Sequence, residues 1–257
     1  MNGAALEAIL NRALTAWPDR IAKVIFRAQE ALLIGGVALG DNVIDLGCGD
    51  GTFASLLGRV TACGIDRSPA ACRAARASRV YRSVVAADLT RLPFPDRTFD
   101  GAFCNSTLEH VRHPEAVLAE AARVMRPGGR LAVTVPTPRK RDWLLFARMA
   151  ERLPGGDPWA ERYRAAFDRY WGHERYFRPE QLAGLLEASG FTVLRIEEYE
   201  SRALSATLDV LNTLEAHHRH RRRYIGSPEL RDVLRQLLTP LHLEPGAGVC
   251  CIAERKP

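Results

Sequence analysis

A glycine-rich turn is the stretch of this chain best suited to bind a small ligand through its backbone. It reads GCGDG at residues 47–51 and follows the apolar run at 43–46, which is typical of a buried parallel strand. Glycine allows a ligand to approach the backbone closely and tolerates positive φ angles. The spacing matches neither the dinucleotide fingerprint G-x-G-x-x-G nor the P-loop G-x-x-x-x-G-K-[ST], so a bound pyrophosphate is not predicted.

Three aspartates stand where predicted strands end. Asp45 ends the run before the turn, Asp66 ends the run ACGID, and Asp88 ends the run VVAAD. Because the carboxyl ends of parallel strands meet at one edge of a sheet, we expect the three carboxylates to line the rim of one pocket. Asp66 lies 17 positions after Gly49, near the roughly 20-residue offset at which an acid takes ribose hydroxyls. Carboxylates repel phosphate and suit a ligand with an amine or a sulfonium group.

Two histidine-containing segments carry the candidates for proton transfer. Glu109 and His110 follow the fourth predicted strand, and His173 and Glu174 lie in the segment WGHERYF. Imidazole and carboxylate groups can serve as general bases toward a weakly acidic hydroxyl group. We select His110 and His173 as the catalytic candidates. Two structural alternatives stay open: His110 is then a loop residue bonded to the backbone, and His173 only holds the segment after it in place.

The elements that must position these residues alternate between strand and helix. Short turns join them, and the helices include one with Pro18 in its first turn and one that opens at Arg139 and contains Met149. This alternation predicts an α/β fold with a parallel sheet covered on both faces. The predicted strands are 43–46, 62–66, 84–88, 98–105, 130–135, 191–199 and 248–254.

These segments resemble the class I S-adenosylmethionine-dependent methyltransferases, in the small-molecule, type 11-like group. VIDLGCGDG resembles the first motif of that family, GIDRS the second, and AADLTRLPFPDRTFDGAFCNSTLEHV the third and fourth. The likeness covers 42–136 and continues more weakly over 173–199 and 248–257. It implies a doubly wound, seven-stranded, mostly parallel sheet of the Rossmann-like methyltransferase fold, with N-terminal helices and a helical insertion before the last strand. It also implies S-adenosyl-L-methionine as the cofactor and S-adenosyl-L-homocysteine as the product.

Carried over to this sequence, the resemblance gives each motif residue a role. Asp66 accepts hydrogen bonds from both ribose hydroxyls, and Arg67 lies along the adenine. Asp88, with the backbone of Leu89, takes the amino edge of the adenine. Asn105 lies near the methionine group. The residues that hold the methionine part are Asp45, Gly47, Cys48, Gly49 and Gly51.

Motifs that the chain lacks narrow the acceptor. NSTL follows the fourth strand in place of (N/D)PP(Y/F), which disfavours methylation of exocyclic amines on nucleic-acid bases, and no Pro-Cys nucleophile motif is present. We expect methyl transfer to a small organic or lipid-like acceptor, with oxygen as the first choice of atom and carbon and nitrogen still open. Two alternatives are a protein that binds the cofactor without catalysis and an RNA methyltransferase that uses the basic run HHRHRRR at 217–223.

We interpret residues 1–257 as a single methyltransferase domain with four regions. The basic run interrupts the last of these regions and is flanked by leucines. A solvated helix end is our first interpretation of this run, and of the two binding alternatives the leucines favour peripheral contact with an anionic membrane over contact with nucleic acid. The regions are N-terminal helices at 1–36, a cofactor-binding core at 42–136, acceptor-side helices at 137–190 and a helical insertion at 202–244.

Composition indicates an ordinary globular chain that can bury a sizeable core. The sequence has 257 residues, 47% of them hydrophobic and 26% charged, and its net charge of +6 permits an acidic partner without demanding one. No run of about 18 apolar residues and no secretory leader are seen, so we expect a cytoplasmic enzyme. The six cysteines form no C-x-x-C pair, which predicts free thiols and no metal site.

Overall fold

Seven strands form one sheet in the computed structural model, which describes residues 3–217, 228–238 and 245–257. Their order is β3-β2-β1-β4-β5-β7-β6, and every neighbouring pair is parallel except the two that involve β7. The predicted seven-stranded, mostly parallel α/β fold is confirmed. The strands are β1 (Val43–Leu46), β2 (Thr61–Asp66), β3 (Tyr81–Ala86), β4 (Phe99–Asn105), β5 (Met125–Pro136), β6 (Phe191–Tyr199) and β7 (Gly248–Arg255).

Helices flank this sheet and leave its central strands buried on both faces. All four residues of β1 and the first five of β2 are buried. Burial on both faces explains why these strands are continuous apolar runs without alternation. A 3₁₀ turn (Leu108–His110) follows β4. The helices are α1 (Gly3–Ala16), α2 (Ile21–Gly35), α3 (Thr52–Leu56), α4 (Pro69–Ser78), α5 (Pro114–Val124), α6 (Arg139–Asp142), α7 (Leu145–Ala150), α8 (Asp157–Trp171), α9 (Pro179–Ala188), α10 (Arg202–His217) and α11 (Pro228–Leu238).

The helical insertion before β7 packs on the two N-terminal helices. Leu10 of α1, Ile25 of α2, Leu208 of α10 and Leu234 of α11 belong to one apolar cluster and are each at most 3% exposed. At the rim of this cluster, a carboxylate oxygen of α10 (Glu215 Oε1) accepts a hydrogen bond of 3.0 Å from the first turn of α2. Segments almost 200 residues apart in sequence therefore build one helical layer.

Two predicted helix boundaries are wrong. Pro18 does not lie in the first turn of a helix, because α2 begins at Ile21, after Arg20 with a non-helical φ of −132°. The single helix predicted from Arg139 is two short helices, α6 and α7. The break between them is at Leu144, which has a φ of −56° and a ψ of 116°. Local backbone geometry overrides the helical pattern of side chains at both places.

No helix within 3–217, 228–238 and 245–257 is long and apolar enough to cross a membrane. The basic run at 217–223 lies outside the described residues, except for the backbone of His217 at the end of α10. Its contact with an anionic membrane, and its use for RNA, therefore stay predictions.

Candidate functional site

The turn after β1 is shaped by positive φ angles and by close packing. Gly47 has a φ of +89°, and a Cβ added there would lie 2.4 Å from the side chain of Thr107. Gly49 has a φ of +53°, and a Cβ there would meet nothing within 4 Å. Gly51 packs against α4, and the N–H of Gly47 donates to the carbonyl of Ile65 at 2.9 Å. The turn is therefore fixed on both flanks and offers bare backbone at Gly49.

The Asp66 carboxylate lies against this turn at the end of β2. Its Oδ2 accepts a hydrogen bond of 3.0 Å from the backbone N–H of Gly49, and its Oδ1 accepts one of 2.8 Å from that of Ser68. A carboxylate oxygen has a second lone-pair direction, so both oxygens retain capacity for a donor on a ligand. Asp66 is partly exposed and the neighbouring Arg67 is exposed. A ligand at Gly49 would thus meet a two-oxygen acceptor.

Asp88 lies two residues beyond the end of β3, so the prediction that it ends the strand itself is wrong. Its exposed carboxylate accepts two hydrogen bonds of 2.9 Å from Thr90, one from the backbone N–H and one from the hydroxyl. These two bonds lower the pKa of Asp88 below its usual value, which keeps it ionised. The next residue, Leu89, is 7% exposed and packs in the core, so it anchors the loop that carries Asp88.

Asp45 does not reach the rim of this site. It is 3% exposed and accepts a 2.6 Å hydrogen bond from the hydroxyl of Tyr81, which reaches it across β2. Tyr81 can cross there because Gly64, the β2 partner of Asp45, has no side chain: a Cβ would lie 2.9 Å from the ring. Burial raises the pKa of Asp45 to about 7, the Tyr81 bond opposes this, and the charge of Asp66 adds to it. The expected rim of three carboxylates is therefore wrong for Asp45. Cys48 is buried as well, so only its backbone is left for a ligand.

The Asn105 side chain at the end of β4 is taken up by protein partners. Its Oδ1 accepts a hydrogen bond of 3.1 Å from Arg27, and its Nδ2 donates one of 2.6 Å to the hydroxyl of Thr134. Its backbone carbonyl accepts a bond of 3.0 Å from the hydroxyl of Thr107. Asn105 therefore fixes the end of the strand, and the second lone pair of its carbonyl is the group left for a ligand.

A buried charge cluster, which the sequence did not indicate, joins α2 to the same strand end. Glu30 is fully buried and accepts hydrogen bonds from Arg27 at 2.7 Å, from the Ser106 hydroxyl at 2.7 Å and from the Tyr199 hydroxyl at 2.9 Å. Ser106 has a φ of +45°, which is uncommon for a residue other than glycine. We name these four residues the Glu30 cluster. It connects α2 to the segment that leads into the 3₁₀ turn.

A pocket of about 80 Å³ opens beside the Glu30 cluster. Residues of α2, α8, α10 and the 3₁₀ turn line it, with Phe26, Phe167 and Trp171 among its apolar walls. Both predicted catalytic histidines, His110 and His173, are also part of the lining. Apolar and aromatic walls with a few polar groups are typical of a site for a small molecule.

His110 has a defined tautomer in this pocket. Its Nδ1 lies 2.6 Å from the backbone oxygen of Gly172, and because a carbonyl only accepts, Nδ1 carries the hydrogen. The neutral ring then has its lone pair on Nε2, which lies 3.8 Å from Oε1 of Glu109. The backbone bond considered as a structural alternative for His110 is therefore present. It also orients the ring and leaves Nε2 as a proton acceptor.

His173 stacks on His110, with 5.7 Å between the ring centroids and 30° between the ring planes. Its Nδ1 is 3.1 Å from the hydroxyl oxygen of Tyr176, and that hydroxyl donates to Asp168, so Nδ1 of His173 is the donor. Burial lowers the pKa of His173 to about 3, and the positive charges of His110 in its protonated form, of Lys140 and of Arg27 add to the effect. His173 is therefore a neutral ring with its lone pair on Nε2.

Glu109 is a third ionisable group in the wall of the pocket. It is 1% exposed, and burial raises its pKa to about 8. Its own backbone N–H and the charge of Arg27 oppose this increase, whereas the charge of Glu30 supports it. A carboxyl group with this pKa is mostly protonated at pH 7.

The residues around the turn fit S-adenosylmethionine, which combines ribose hydroxyls, an amine and a sulfonium. Asp66 offers two oxygen acceptors next to the bare backbone of Gly49, and Asp88 adds an ionised carboxylate. In the described part of the chain, neither carboxylate forms an ion pair with Lys, Arg or His, so both keep their charge for donors on a ligand. Charge-assisted hydrogen bonds of this kind are strong.

Comparison with known proteins gives the family. Residues 6–196 match the family model described as a methyltransferase domain. The chain is 31% identical over 206 residues to a demethylmenaquinone methyltransferase of Tropheryma whipplei, which covers 73% of this chain and 84% of that protein. It is 33% identical over 145 residues to the 27-O-demethylrifamycin SV methyltransferase of Amycolatopsis mediterranei, which covers 51% of this chain and 49% of that protein.

The fold agrees with these matches. A crystal structure of an S-adenosylmethionine-dependent methyltransferase from Thermotoga maritima has a TM-score of 0.58 to this chain at 19% identity. That likeness covers 96% of this chain and 99% of the other. The family model extends over most of the chain and includes the glycine turn, the 3₁₀ turn after β4 and α8, whereas α10 lies beyond the match. The chain belongs to the S-adenosylmethionine-dependent methyltransferases, which are enzymes with S-adenosylmethionine as cofactor.

Proposed function

We propose that the acceptor is a small aromatic molecule with a hydroxyl group, and that the hydroxyl oxygen is methylated. When bound, S-adenosylmethionine supplies a methyl group on a positively charged sulfur, which is a good leaving group. A hydroxyl group is a weak nucleophile until it loses its proton, so the reaction benefits from a general base. The observation that carries the proposal is the orientation of His110. Its Nδ1 is fixed on Gly172, and its Nε2 is left as a proton acceptor in an aromatic-walled pocket.

We further propose how the cofactor is held. Asp66 accepts hydrogen bonds from the ribose hydroxyls, and Asp88 with the backbone of Leu89 takes the adenine edge. The methionine part lies against the backbone of residues 47–51 and the carbonyl of Asn105. Position supports these roles, since Asp66 is bonded to the turn itself and the turn is open at its centre. Asp45 acts indirectly, because it is buried.

The chain's own residues then move one proton and exclude water. The proton of the acceptor hydroxyl passes to Nε2 of His110, and from there to solvent, since this side chain is 37% exposed. His173 stays neutral at all moderate pH values because its pKa is about 3, so it adds no positive charge beside His110. The rings of Phe167 and Trp171 cover the acceptor and keep bulk water away from the reacting oxygen.

The names of two relatives support a small acceptor and leave two candidate atoms. One is a 27-O-demethylrifamycin SV methyltransferase, whose name specifies an oxygen. The other is a demethylmenaquinone methyltransferase. A phenolate reacts at its oxygen or at the neighbouring ring carbon, so the same base serves both outcomes. Oxygen is our first choice because it is the atom from which the proposed base removes the proton.

Incubation of the purified protein with S-adenosylmethionine and phenol, catechol or hydroquinone tests this proposal. Mass spectrometry and NMR of the products distinguish methyl ethers from ring-methylated compounds. We expect His110→Asn to lower kcat/KM by about 10²- to 10⁴-fold, which is the usual contribution of a general base. Affinity for the cofactor, measured by calorimetry, should not change.

His113→Asn is the matched control for this experiment. His113 lies three positions further along the chain, its ring is exposed and it contacts Glu115 on the surface. We expect this variant to have the activity of the unchanged protein. Absence of any methylated phenolic product would contradict the proposed acceptor class. An active His110→Asn variant would contradict the role of the base.

A further inference from the structure

Glu109 is buried in the wall of the acceptor pocket with one oxygen that has no partner. Its side chain is 1% exposed and lines the pocket next to His110. The Oε2 atom is buried and forms no hydrogen bond to any part of the chain that the structure describes. Buried polar atoms are nearly always satisfied, so an unsatisfied one at a pocket wall indicates a partner that comes from a ligand.

The cation near Glu109 does not satisfy it. Arg27, whose charge acts on Glu109, donates its hydrogen bonds to Glu30 and Asn105 instead. Among the described residues, Glu109 lies within ion-pair distance of the His110 ring, with 3.8 Å between Oε1 of Glu109 and Nε2 of His110. Glu109 therefore sits in a buried position without a close cation, which favours its neutral form.

Burial outweighs the nearby positive charge of Arg27 and favours the neutral form of Glu109. Burial raises the pKa of Glu109 to about 8, so the carboxyl keeps its proton at pH 7 and loses it as the pH rises above 8. On α2, the charged groups at this pocket and cluster are Lys23, Arg27 and Glu30. The other groups there that can ionise are Cys104 of β4, the neighbouring His110, and Lys140 and His173 in the pocket lining; burial keeps the Cys104 thiol and the His173 ring neutral.

We propose that Glu109 is an acceptor-binding residue that donates a hydrogen bond from its neutral carboxyl group to a second oxygen of the acceptor, next to the oxygen that is methylated. This inference rests on the proposed function, because His110 must hold the first oxygen. It adds a substrate class: aromatic acceptors with two oxygens on neighbouring ring carbons.

The spacing of the two side chains selects neighbouring oxygens. Nε2 of His110 and Oε1 of Glu109 are 3.8 Å apart and belong to adjacent residues of the same 3₁₀ turn. Two groups this close can each reach, at about 2.8 Å, one of two oxygens on neighbouring carbons. Oxygens on opposite sides of a ring point away from each other, so two groups on one side of the acceptor cannot bond to both at an acceptable hydrogen-bond angle. Catechol therefore fits, whereas its isomer hydroquinone and the single-hydroxyl phenol do not use Glu109.

Steady-state kinetics with these three compounds, under anaerobic conditions, test the inference. We expect the unchanged protein to show a kcat/KM for catechol at least about tenfold above those for phenol and hydroquinone, because a hydrogen bond to a buried polar group is lost with the latter two. Glu109→Leu should lower the catechol value to that of phenol. Glu109→Gln keeps a neutral donor and should restore the preference.

The pH profile separates binding from a merely structural role. With catechol, kcat/KM of the unchanged protein should fall above pH 8 relative to that of Glu109→Gln, since only Glu109 loses a proton. Ionisation of catechol itself cancels in this ratio. Cofactor affinity of each variant, measured by calorimetry, shows that the fold is intact.

Three results would overturn the inference. Equal values for catechol and hydroquinone in the unchanged protein would show that neighbouring oxygens are not selected. A Glu109→Leu variant that keeps the preference would remove Glu109 from the site. A Glu109→Gln variant as poor as Glu109→Leu would show that a charged carboxylate is required, as for a cationic acceptor. The proposed acceptor class survives all three, and it fails, together with the inference, if none of the compounds is methylated.

Discussion

Replacement of Asp45 by Asn tests whether folding raises the pKa of the Asp45 carboxyl group, which lies beneath the glycine turn. Asp45 is 3% exposed and bonded to the hydroxyl of Tyr81 at 2.6 Å. Asparagine has the same shape and keeps an oxygen that accepts the Tyr81 bond, but it cannot ionise. The substitution therefore removes the charge and changes little else.

The size of the effect follows from the two pKa values of Asp45. Folding raises its pKa from 3.8 to about 7, so the native state binds more protons than the unfolded state between these values. The contribution of Asp45 to stability is therefore complete below pH 3.8 and is lost as the pH rises to about 7. A difference of about three pKa units corresponds to about 4 kcal/mol. That is a large part of the roughly 5–15 kcal/mol by which proteins are stable.

Urea unfolding of both proteins between about pH 4 and pH 8, without cofactor, measures this difference. We expect equal free energies of unfolding at the acidic end and an advantage of up to about 4 kcal/mol for Asp45→Asn at the alkaline end. Asp50→Asn is the control, since Asp50 is exposed and its amide variant still accepts the N–H of Thr52. A pH-independent difference for Asp45→Asn, or one that grows toward low pH, would refute the reasoning.

Two further predictions concern the cofactor site and the Glu30 cluster. Asp66→Ala removes both oxygens bonded to the turn and offered to the ribose, so calorimetry should show at least about a tenfold loss of S-adenosylmethionine affinity; unchanged affinity would reject the ribose assignment. Glu30→Leu leaves Arg27 without its buried partner and should lower the free energy of unfolding by about 3–5 kcal/mol in urea titrations. Tyr199→Phe removes one of the donors to Glu30 and should cost about 1 kcal/mol; equal losses in the two variants would contradict this account.

Much of the fold could be predicted because its signals are local. The apolar runs and the short turns between them predicted the strands of the parallel sheet. Ser68 and Pro69 are residue types that favour a helix start, and α4 begins at Pro69 with the Ser68 hydroxyl accepting the N–H of Ala71 at 3.2 Å. Signals of this kind involve residues a few positions apart, so the sequence alone displays them.

The face of the sheet on which the Asp45 side chain lies could not be predicted. β1 is buried at all four positions, so the sequence has no alternation that would tell which face Asp45 occupies. Its true partner, Tyr81, is 36 positions away and reaches it only because Gly64 leaves room. The expectation that Asp45 faces the ligand was therefore wrong for a reason that lies in tertiary packing.

The Glu30 cluster was missed for the same reason. Glu30 bonds to Ser106 and Tyr199, which are 76 and 169 positions away in sequence. Read alone, Arg27 and Glu30 form an ordinary i,i+3 pair on a helix surface, and such pairs usually lie in solvent. The role of the basic run at 217–223 and the division into four regions stay predictions.

The Glu30 cluster also links α2, the second of the N-terminal helices, to the segment that carries His110. α2 supplies Arg27, which orients the Asn105 side chain, and Glu30, which holds Ser106 in its uncommon backbone conformation. Ser106 leads directly into the 3₁₀ turn that carries Glu109 and His110. A helix that precedes the whole cofactor-binding core in sequence thus helps to position His110, the proton acceptor that we propose, and the insertion packed on α2 covers the same pocket.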